Sequence, residues 1–392
     1  MLVPLLAGVA CFCACSRLPQ PPAIATDTLD PAVARLVESA LREVRTAPRS
    51  GAAWGKLASV LMHYDFQKEA RFSFEQAEGL SPQDPRWPYL YGLLLMPNQA
   101  DAATEKLRRA VELCNDQFDT PRSRLAQWLA ERGHAQEAER HFDILLRLIP
   151  NHPVALLGLA RLRQSSGRPA DGARLLSASL SDPHTAKSAH ALLASIEQSL
   201  GDTTAAEAAA RRAAELPADA PWPDPYWTEA TAYRVGKKAL IEDAAALMDQ
   251  GRLNEALHLL TRLTREYADD DEGWYLMGWA LNQQRQSAQA ERVLREHLRR
   301  SPQSPKGHAQ LAVALLGQQR YEEATEVLEA GVKLKPTWRE FHSNLGYACV
   351  QLGRRDEAIR HYRDALACDP NYAPTLTALA ELGRRTEDAK TQ

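Results

Sequence analysis

The sequence predicts an all-α fold built from repeated helical hairpins, and three observations support this prediction. A regular period is marked in the C-terminal half by Pro302, Pro336 and Pro370, whose numbers increase by 34 each time. Two columns of small residues keep the same period. Ala, Leu, Arg, Glu and Gln dominate the composition, and no run alternates apolar and polar residues over the length of a strand.

The small residues indicate where two helices of one repeat pack together. They return once per period at two positions of the repeat: Ala244, Gly278, Ala312 and Gly346, then Ala256, Ala290, Ala324 and Ala358. A larger side chain at such points would push paired helices apart. Each repeat is therefore predicted to be a helix of about 14 residues, a turn often containing Gly (Gly251, Gly353), a second helix and a terminating Pro.

These columns, with a large residue four positions before the first and Pro near the end, resemble the tetratricopeptide repeat. The resemblance is most specific from Trp274 to Gly278 and from Asn344 to Pro370. It implies about nine hairpins in a right-handed α-α superhelix, a solenoid in which each hairpin packs against its neighbours. Five repeats fall in an N-terminal block, 51–220, and four in a C-terminal block, 237–372: 51–84, 85–118, 119–152, 153–186 and 187–220, then 237–270, 271–304, 305–338 and 339–372.

The resemblance also places some residues in the core of the solenoid. Trp54 and Trp274 fall in its structural column and are expected to be buried. Cys349 takes the column of two Leu residues, which marks it as a small core residue.

A capping helix is predicted on each side of the repeats. The first covers 31–50, with Asp30 as its N-cap and Pro31 in its first turn. The second lies in 373–392, with a helix over 373–385 and a disordered tail after it.

The N-terminal segment, residues 1–15, is apolar and carries three Cys at alternate positions. It is too short to cross a bilayer as a helix. An apolar run that ends in a small residue and Cys resembles a bacterial lipoprotein signal, which implies lipidation of Cys15, or of Cys11, and anchoring in the cell envelope. The Pro-rich residues 16–30 would then be a tether. The alternatives are a segment that is uncleaved or removed without lipidation, and a cytoplasmic protein.

Sixteen residues, 221–236, interrupt the period between the fifth and sixth repeats. Three Pro in five residues exclude a helix at the start of this insertion and favour extended backbone. From Thr228 onward the insertion is predicted to lengthen the first helix of the next repeat. Two interpretations stay open: a rigid joint that fills the gap between two blocks of repeats, or a loop across the groove that contributes Trp222, Tyr226 and Trp227 to a ligand site.

The resemblance implies that the first helices line a groove for a peptide or helix of a partner protein. Its groove positions in this sequence are Arg86, Tyr89, Leu93, Gln127, Arg161, Lys238, Tyr275, Trp279, Asn282, Lys306 and Tyr347, with Asn344 near the rim. The family's Lys and Asn clamp for a C-terminal carboxylate is not assembled, because Tyr275 and Trp279 occupy its places. Aromatic and amide groups favour an extended peptide or a helix. Alternatively, Trp279 and Tyr347 only fill gaps between repeats.

No motif predicts catalysis, a cofactor, a metal site or a small-molecule substrate. The eleven His are dispersed, and no zinc-protease motif, phosphate loop or nucleophile elbow is present. His308 and His342 share the column of Trp274 and are interpreted as structural, and His361 as solvated. The Cys cluster lacks a nearby His and the spacing of a zinc site. A net charge of −3 without a basic stripe argues against nucleic acid.

Three functions fit these features. The first is a non-catalytic, lipid-anchored scaffold of the bacterial envelope that binds a protein or peptide in its groove. The second is a soluble intracellular adaptor or co-chaperone. The third is an accessory subunit that presents substrate to an enzyme.

Overall fold

The structure is a computed structural model that describes residues 19–391, with side chains described as far as residue 383. Within this range all regular secondary structure is helical, in 21 helices, and consecutive helices pair. The predicted all-α fold, an α-α solenoid of helical hairpins, is confirmed. The helices divide into two compact units, with the boundary between Val235 and Gly236.

The first unit holds a leading helix, five hairpins and a short final helix. Its helices are α1 (Pro31–Thr46), α2 (Gly51–Leu61), α3 (Gln67–Leu80), α4 (Arg86–Leu95), α5 (Ala100–Cys114), α6 (Thr120–Glu131), α7 (Ala135–Leu148), α8 (Pro153–Ser165), α9 (Pro169–Leu175), α10 (Ala186–Leu200), α11 (Thr203–Glu215) and α12 (Pro225–Thr231).

The second unit holds four hairpins and a last helix. Its helices are α13 (Gly236–Asp249), α14 (Leu253–Glu266), α15 (Asp271–Gln283), α16 (Ser287–Arg300), α17 (Pro305–Gly317), α18 (Tyr321–Leu334), α19 (Arg339–Gln351), α20 (Arg355–Cys368) and α21 (Ala373–Thr391). The first helices of successive hairpins contact one another, α13 with α15, α15 with α17 and α17 with α19.

The small-residue columns lie where the two helices of a hairpin meet. The four Ala of the second column are fully buried. A methyl group added to Gly278 of α15 would lie 2.4 Å from Leu294 of α16, and one added to Gly346 of α19 would lie 2.5 Å from the ring of Tyr362 on α20. These distances are shorter than any ordinary carbon contact, so the side chain is absent because the partner helix needs the space.

The turn inside each hairpin of the second unit uses a left-handed residue. Gly251 and Gly353 have φ of 73°, and Arg285 and Gln319, which stand at the same place in the two middle hairpins, have φ of 59°. In each turn the residue after the left-handed one donates its N–H to the carbonyl five positions earlier. Arg354, for example, donates to the carbonyl of Cys349 at 2.8 Å. This bond satisfies a carbonyl at the helix end. The turn therefore has one geometry whether or not it contains Gly.

The predicted helix start at residue 31 is confirmed. The side chain of Asp30 accepts a hydrogen bond from the N–H of Ala32 at 2.8 Å, and Pro31 stands in the first turn. Helix α1 contacts α2 through a face that buries Val37, Ala40 and Val44. The C-terminal helix is longer than expected, because it continues past residue 385 to Thr391.

The insertion contradicts the prediction that α13 begins near Thr228. It forms a separate helix, α12, and α13 begins at Gly236, whose φ of 85° breaks the helical path. Pro225 stands at the start of α12, where no N–H is required, and Asp224 caps the helix by accepting from the N–H of Trp227 at 2.9 Å.

No helix among the described residues combines the length and the apolar content that crossing a membrane requires.

We expect the variant Gly346→Ala to lower the free energy of unfolding of the second unit by about 1–3 kcal/mol, since its methyl group has to displace Tyr362. Urea unfolding measures the change. The control is Gly383→Ala in α21, where the added methyl group meets nothing within 4 Å; it should be neutral or raise stability by up to about 1 kcal/mol. Equal effects of the two variants would contradict close helix pairing at this column.

Candidate functional site

Residues 217–235, called the crossing segment here, run back along the first helices of the first unit. The segment begins at the fifth hairpin, where the carboxylate of Asp219 accepts from the N–H groups of Lys187 and Ser188 at 2.8 and 3.0 Å. The backbone of Ala220 then pairs with Pro183 and with the ring of His184. Further along, its partners belong to the fourth, third, second and first hairpins in turn.

Trp222 contacts two histidine rings and donates a hydrogen bond to a carboxylate. Its ring centroid is 5.2 Å from that of His184 and 4.7 Å from that of His152, the N-cap of α8. Asp119, the N-cap of α6, accepts from His152 Nε2 at 2.7 Å and from Trp222 Nε1 at 3.1 Å. Burial raises the pKa of Asp119, but the hydrogen bonds outweigh burial and hold this pKa below its ordinary value. The carboxylate is therefore ionised and fixes the indole.

The next anchor of the crossing segment is Asp224, which is buried. Its carboxylate accepts a short hydrogen bond from the hydroxyl of Tyr89 on α4. Burial and the charge of Asp224 raise the pKa of Tyr89 far above its ordinary value, so the hydroxyl stays a donor. The preceding carbonyl, of Pro223, accepts from the hydroxyl of Thr120 at 2.8 Å.

Helix α12 completes the segment against α2 and α4. The buried ring of Tyr226 meets the edge of Tyr89 at 5.5 Å and of Phe118 at 5.9 Å, and Trp227 lies 5.5 Å from His63. Glu229 forms an ion pair with Arg86 at 2.9 Å.

The segment ends at the first hairpin. The ring Nε2 of His63 bonds the carbonyl of Ala230 at 3.0 Å, and the hydroxyl of Tyr64 bonds the carbonyls of Tyr233 and Val235 at 2.9 and 3.1 Å. All five first helices of this unit, or the residues that cap them, therefore contact one stretch of the chain itself.

The predicted groove residues of the first unit differ in their accessibility. Tyr89 is fully buried and Arg86 is paired, both against the crossing segment. Leu93 and Gln127 are half-buried, and Arg161 is exposed. The sequence analysis left open that residues 221–236 lie across the groove, but it named no partners for them, so it did not indicate that the segment covers Tyr89.

The predicted groove residues of the second unit lie on neighbouring first helices. Tyr275 and Trp279 of α15 stack with ring centroids 6.4 Å apart, and Lys306 of α17 places its ammonium 5.8 Å from the Tyr275 ring. Tyr347 of α19 is 45% exposed. We call Tyr275, Trp279, Lys306 and Tyr347 the C-terminal face.

The remaining predicted residues of this unit lie on the same set of helices. Asn282 donates to the backbone carbonyl and to the side-chain carbonyl of Gln310, both at 2.9 Å, so its NH2 group is used within the protein. Lys238 is exposed and Asn344 is half-buried. Asn282 therefore joins α15 to α17 by hydrogen bonds. Its position in the repeat alone could not indicate this contact.

The two Trp residues that were predicted to lie in the core differ in their burial. Trp54 is fully buried, and its Nε1 donates to the carbonyl of Pro48 at 3.0 Å. Trp274 is half-buried and lines a surface pocket of about 370 Å³ with Leu257 and Met277, so the prediction for it was wrong.

Cys349 is buried, as predicted. The lipidation candidates, Cys11 and Cys15, lie outside the described residues.

Residues 243–305 and 310–373 match the family described as tetratricopeptide repeat. Both matched stretches lie in the second unit. No match to this chain was found among curated proteins. The repeat fold supports a role in protein interaction, and proteins of this class are generally non-catalytic scaffolds.

Several solved structures are similar to parts of the chain. A double mutant of MamA RS-1 is 26% identical over 40% of this chain and 87% of its own, with a TM-score of 0.36. MamA from Desulfovibrio magneticus RS-1 is 18% identical over 47% of this chain and 96% of its own, with a TM-score of 0.35. A thermophilic tetratricopeptide repeat protein of Thermus thermophilus is 21% identical over 50% of this chain and 98% of its own, with a TM-score of 0.35.

We expect Asp224→Ala to lower the free energy of unfolding of the first unit by about 2–3 kcal/mol, because it leaves the buried hydroxyl of Tyr89 without an acceptor and removes the cap of α12. Urea unfolding measures this. The matched control is Glu229→Ala, which breaks an exposed ion pair of the same segment and should cost less than about 1 kcal/mol. If Asp224→Ala unfolds like the wild type, the segment does not bind the first unit as described.

Proposed function

We propose that this protein is a non-catalytic scaffold that binds an extended segment of a partner protein on the C-terminal face and is held at the bacterial cell envelope by an N-terminal lipid. The observation behind the binding site is the crossing segment itself. In the first unit, first helices of the same repeat architecture hold an extended, Pro-rich stretch of polypeptide through aromatic contacts and hydrogen bonds to its backbone.

The C-terminal face offers comparable chemistry. Stacked Tyr275 and Trp279 present flat apolar surface, and Tyr347 exposes nearly half of its area. Such rings bury a large area with few rotatable bonds and leave a polar edge in water. Lys306 of the face and the exposed Lys238 on α13 add positive charge, which favours acidic residues in the partner segment.

The two units then differ in what they can accept. In the first unit Tyr89 and Arg86 are already engaged by the crossing segment. In the second unit the aromatic residues of the face retain exposed area. A partner segment therefore meets a free surface on the second unit, whereas on the first unit it has to replace existing contacts.

The envelope location is proposed from the N-terminal segment. Cys15, or Cys11, follows an apolar run and would carry the lipid, and residues 16–30 would form the tether. Ile24 and Leu29 pack against the core of the first unit, so the free part of the tether would shorten to residues 16–23, which reach at most about 30 Å when extended. The repeats would therefore stay close to the membrane surface.

We expect bacterial expression of the gene to give a mature N-terminus with a diacylglyceryl-modified Cys15 or Cys11, and membrane fractionation to follow the modification. Mass spectrometry of the intact protein measures it. The double variant Cys11→Ser, Cys15→Ser is the control and should leave the membrane fraction. An unmodified wild-type N-terminus that starts at Met1 would reject the lipid anchor and favour a soluble adaptor.

We expect a photoreactive amino acid in place of Tyr347 to cross-link a partner in bacterial cells, and the cross-link to weaken in the Trp279→Ala background. Loss of a central aromatic contact typically weakens binding by tenfold or more, about 2 kcal/mol for a dominant residue. The control is the same photoreactive group at Arg299, an exposed position on the second helix α16.

Two results would reject this binding site. Equal cross-linking from positions 347 and 299 would show that the C-terminal face has no preference for a partner. A fall of more than a few degrees in the melting temperature of Trp279→Ala would show that Trp279 serves packing rather than recognition.

A further inference from the structure

The last hairpin brings together three side chains that can bind metal. His342 lies on α19, and His361 and Asp364 lie three residues apart on α20, which places them on one side of that helix. One ligand atom from each residue lies within 4.8 Å of the other two. Among the described residues no other group of three such side chains is this close.

A hydrogen bond to the backbone fixes the tautomer of the His342 ring. Its Nε2 lies 2.7 Å from the carbonyl oxygen of Pro336, and a carbonyl only accepts, so Nε2 carries the proton. In the neutral ring Nδ1 then holds a free lone pair. Metal-binding His residues commonly donate their other N–H to a backbone carbonyl in this way.

Two buried nitrogens of the cluster have no hydrogen-bond partner. These are Nδ1 of His342 and Nδ1 of His361. Buried polar atoms are almost always paired, and an unpaired one in a native structure is often explained by a bound water or ion.

The cluster is specific to this hairpin and does not follow from the repeat. In the preceding hairpin His308 occupies the column of His342, but the columns of His361 and Asp364 hold Val327 and Ala330. His308 bonds the carbonyl of Ser304 through its own Nδ1 at 2.9 Å. It is therefore a natural control for a histidine that has the same place in the repeat and no second ligand.

We propose that His342, His361 and Asp364 form a site for a divalent transition-metal ion of the zinc class. Two imidazoles and a carboxylate are ligands that Zn²⁺, Ni²⁺ and Cu²⁺ accept. With Zn–N bonds of about 2.0–2.1 Å the ligand atoms of a tetrahedral site lie about 3.4 Å apart, so the side chains have to move by only about 1 Å. Three protein ligands leave a fourth position for water or for a partner's side chain.

The sequence predicted no metal site, and the spacing explains why. The ligands are separated by 19 and by 3 residues across the turn of a hairpin, which matches no local zinc motif. Only the pairing of α19 with α20 brings His342 next to the other two. A bound ion would clamp these helices together at the end of the repeat array.

Calorimetric titration of the untagged protein with Zn²⁺ tests the proposal. We expect binding of one ion, and we expect His361→Ala and Asp364→Asn each to weaken it at least about tenfold while His308→Ala leaves it unchanged. Asp364 is exposed, so its variant should fold normally, which circular dichroism checks. Bound Zn²⁺ should also raise the melting temperature of the wild type but not of Asp364→Asn.

Titration with Co²⁺ identifies the ligands by absorption. The proposal expects the visible bands of a four- or five-coordinate site with nitrogen and oxygen ligands and no near-ultraviolet charge-transfer band from thiolate. A thiolate band that disappears in Cys368→Ser would move the binding to that exposed Cys and overturn the proposal. Equal Zn²⁺ affinity of His361→Ala and wild type would also overturn the proposal. The absence of binding at about 100 μM free Zn²⁺ would overturn it as well.

Discussion

The contact between a small residue on one helix and a large side chain on its neighbour holds the hairpins of this protein together. Gly278 against Leu294 and Gly346 against Tyr362 leave no room for a methyl group, and Gly158 against Phe142 does the same in the first unit. Such a contact fixes both the distance between two helices and the rotation of each about its axis. It therefore also decides which side chains of the first helices face outward, and both the contacts of the crossing segment and the C-terminal face depend on it.

The sequence predicted what is local and periodic. Helix starts, turns and paired columns return once per repeat, so even the turns at Arg285 and Gln319, which lack Gly, could be placed by period. The sequence left open whether residues 221–236 form a joint or a loop across the groove, and it could not name their contacts, because these are distant: Trp222 bonds Asp119, 103 residues away, and Val235 bonds Tyr64, 171 residues away. Nothing in a local pattern encodes such pairs. The burial of Tyr89 was missed for this reason.

The crossing segment also gives the repeat architecture a second use. Tetratricopeptide-type helices are expected to bind other proteins, yet in the first unit they bind their own chain. The buried hydroxyl of Tyr89 makes that contact specific, since it would lose its acceptor, Asp224, if the segment left. Asp119 would lose the N–H of Trp222 in the same way. In our account the first unit is a closed, self-bound block, and recognition of a partner belongs to the second unit.

Residues 217–235 occupy the first helices of the first unit, and amide hydrogen exchange of the full chain measures this contact. The N–H groups of Ala220 and Val235 donate to Pro183 and to the hydroxyl of Tyr64, so we expect both to exchange about as slowly as the amides of α4 and α6. Exchange throughout 217–235 at the rate of an unstructured peptide would contradict the account.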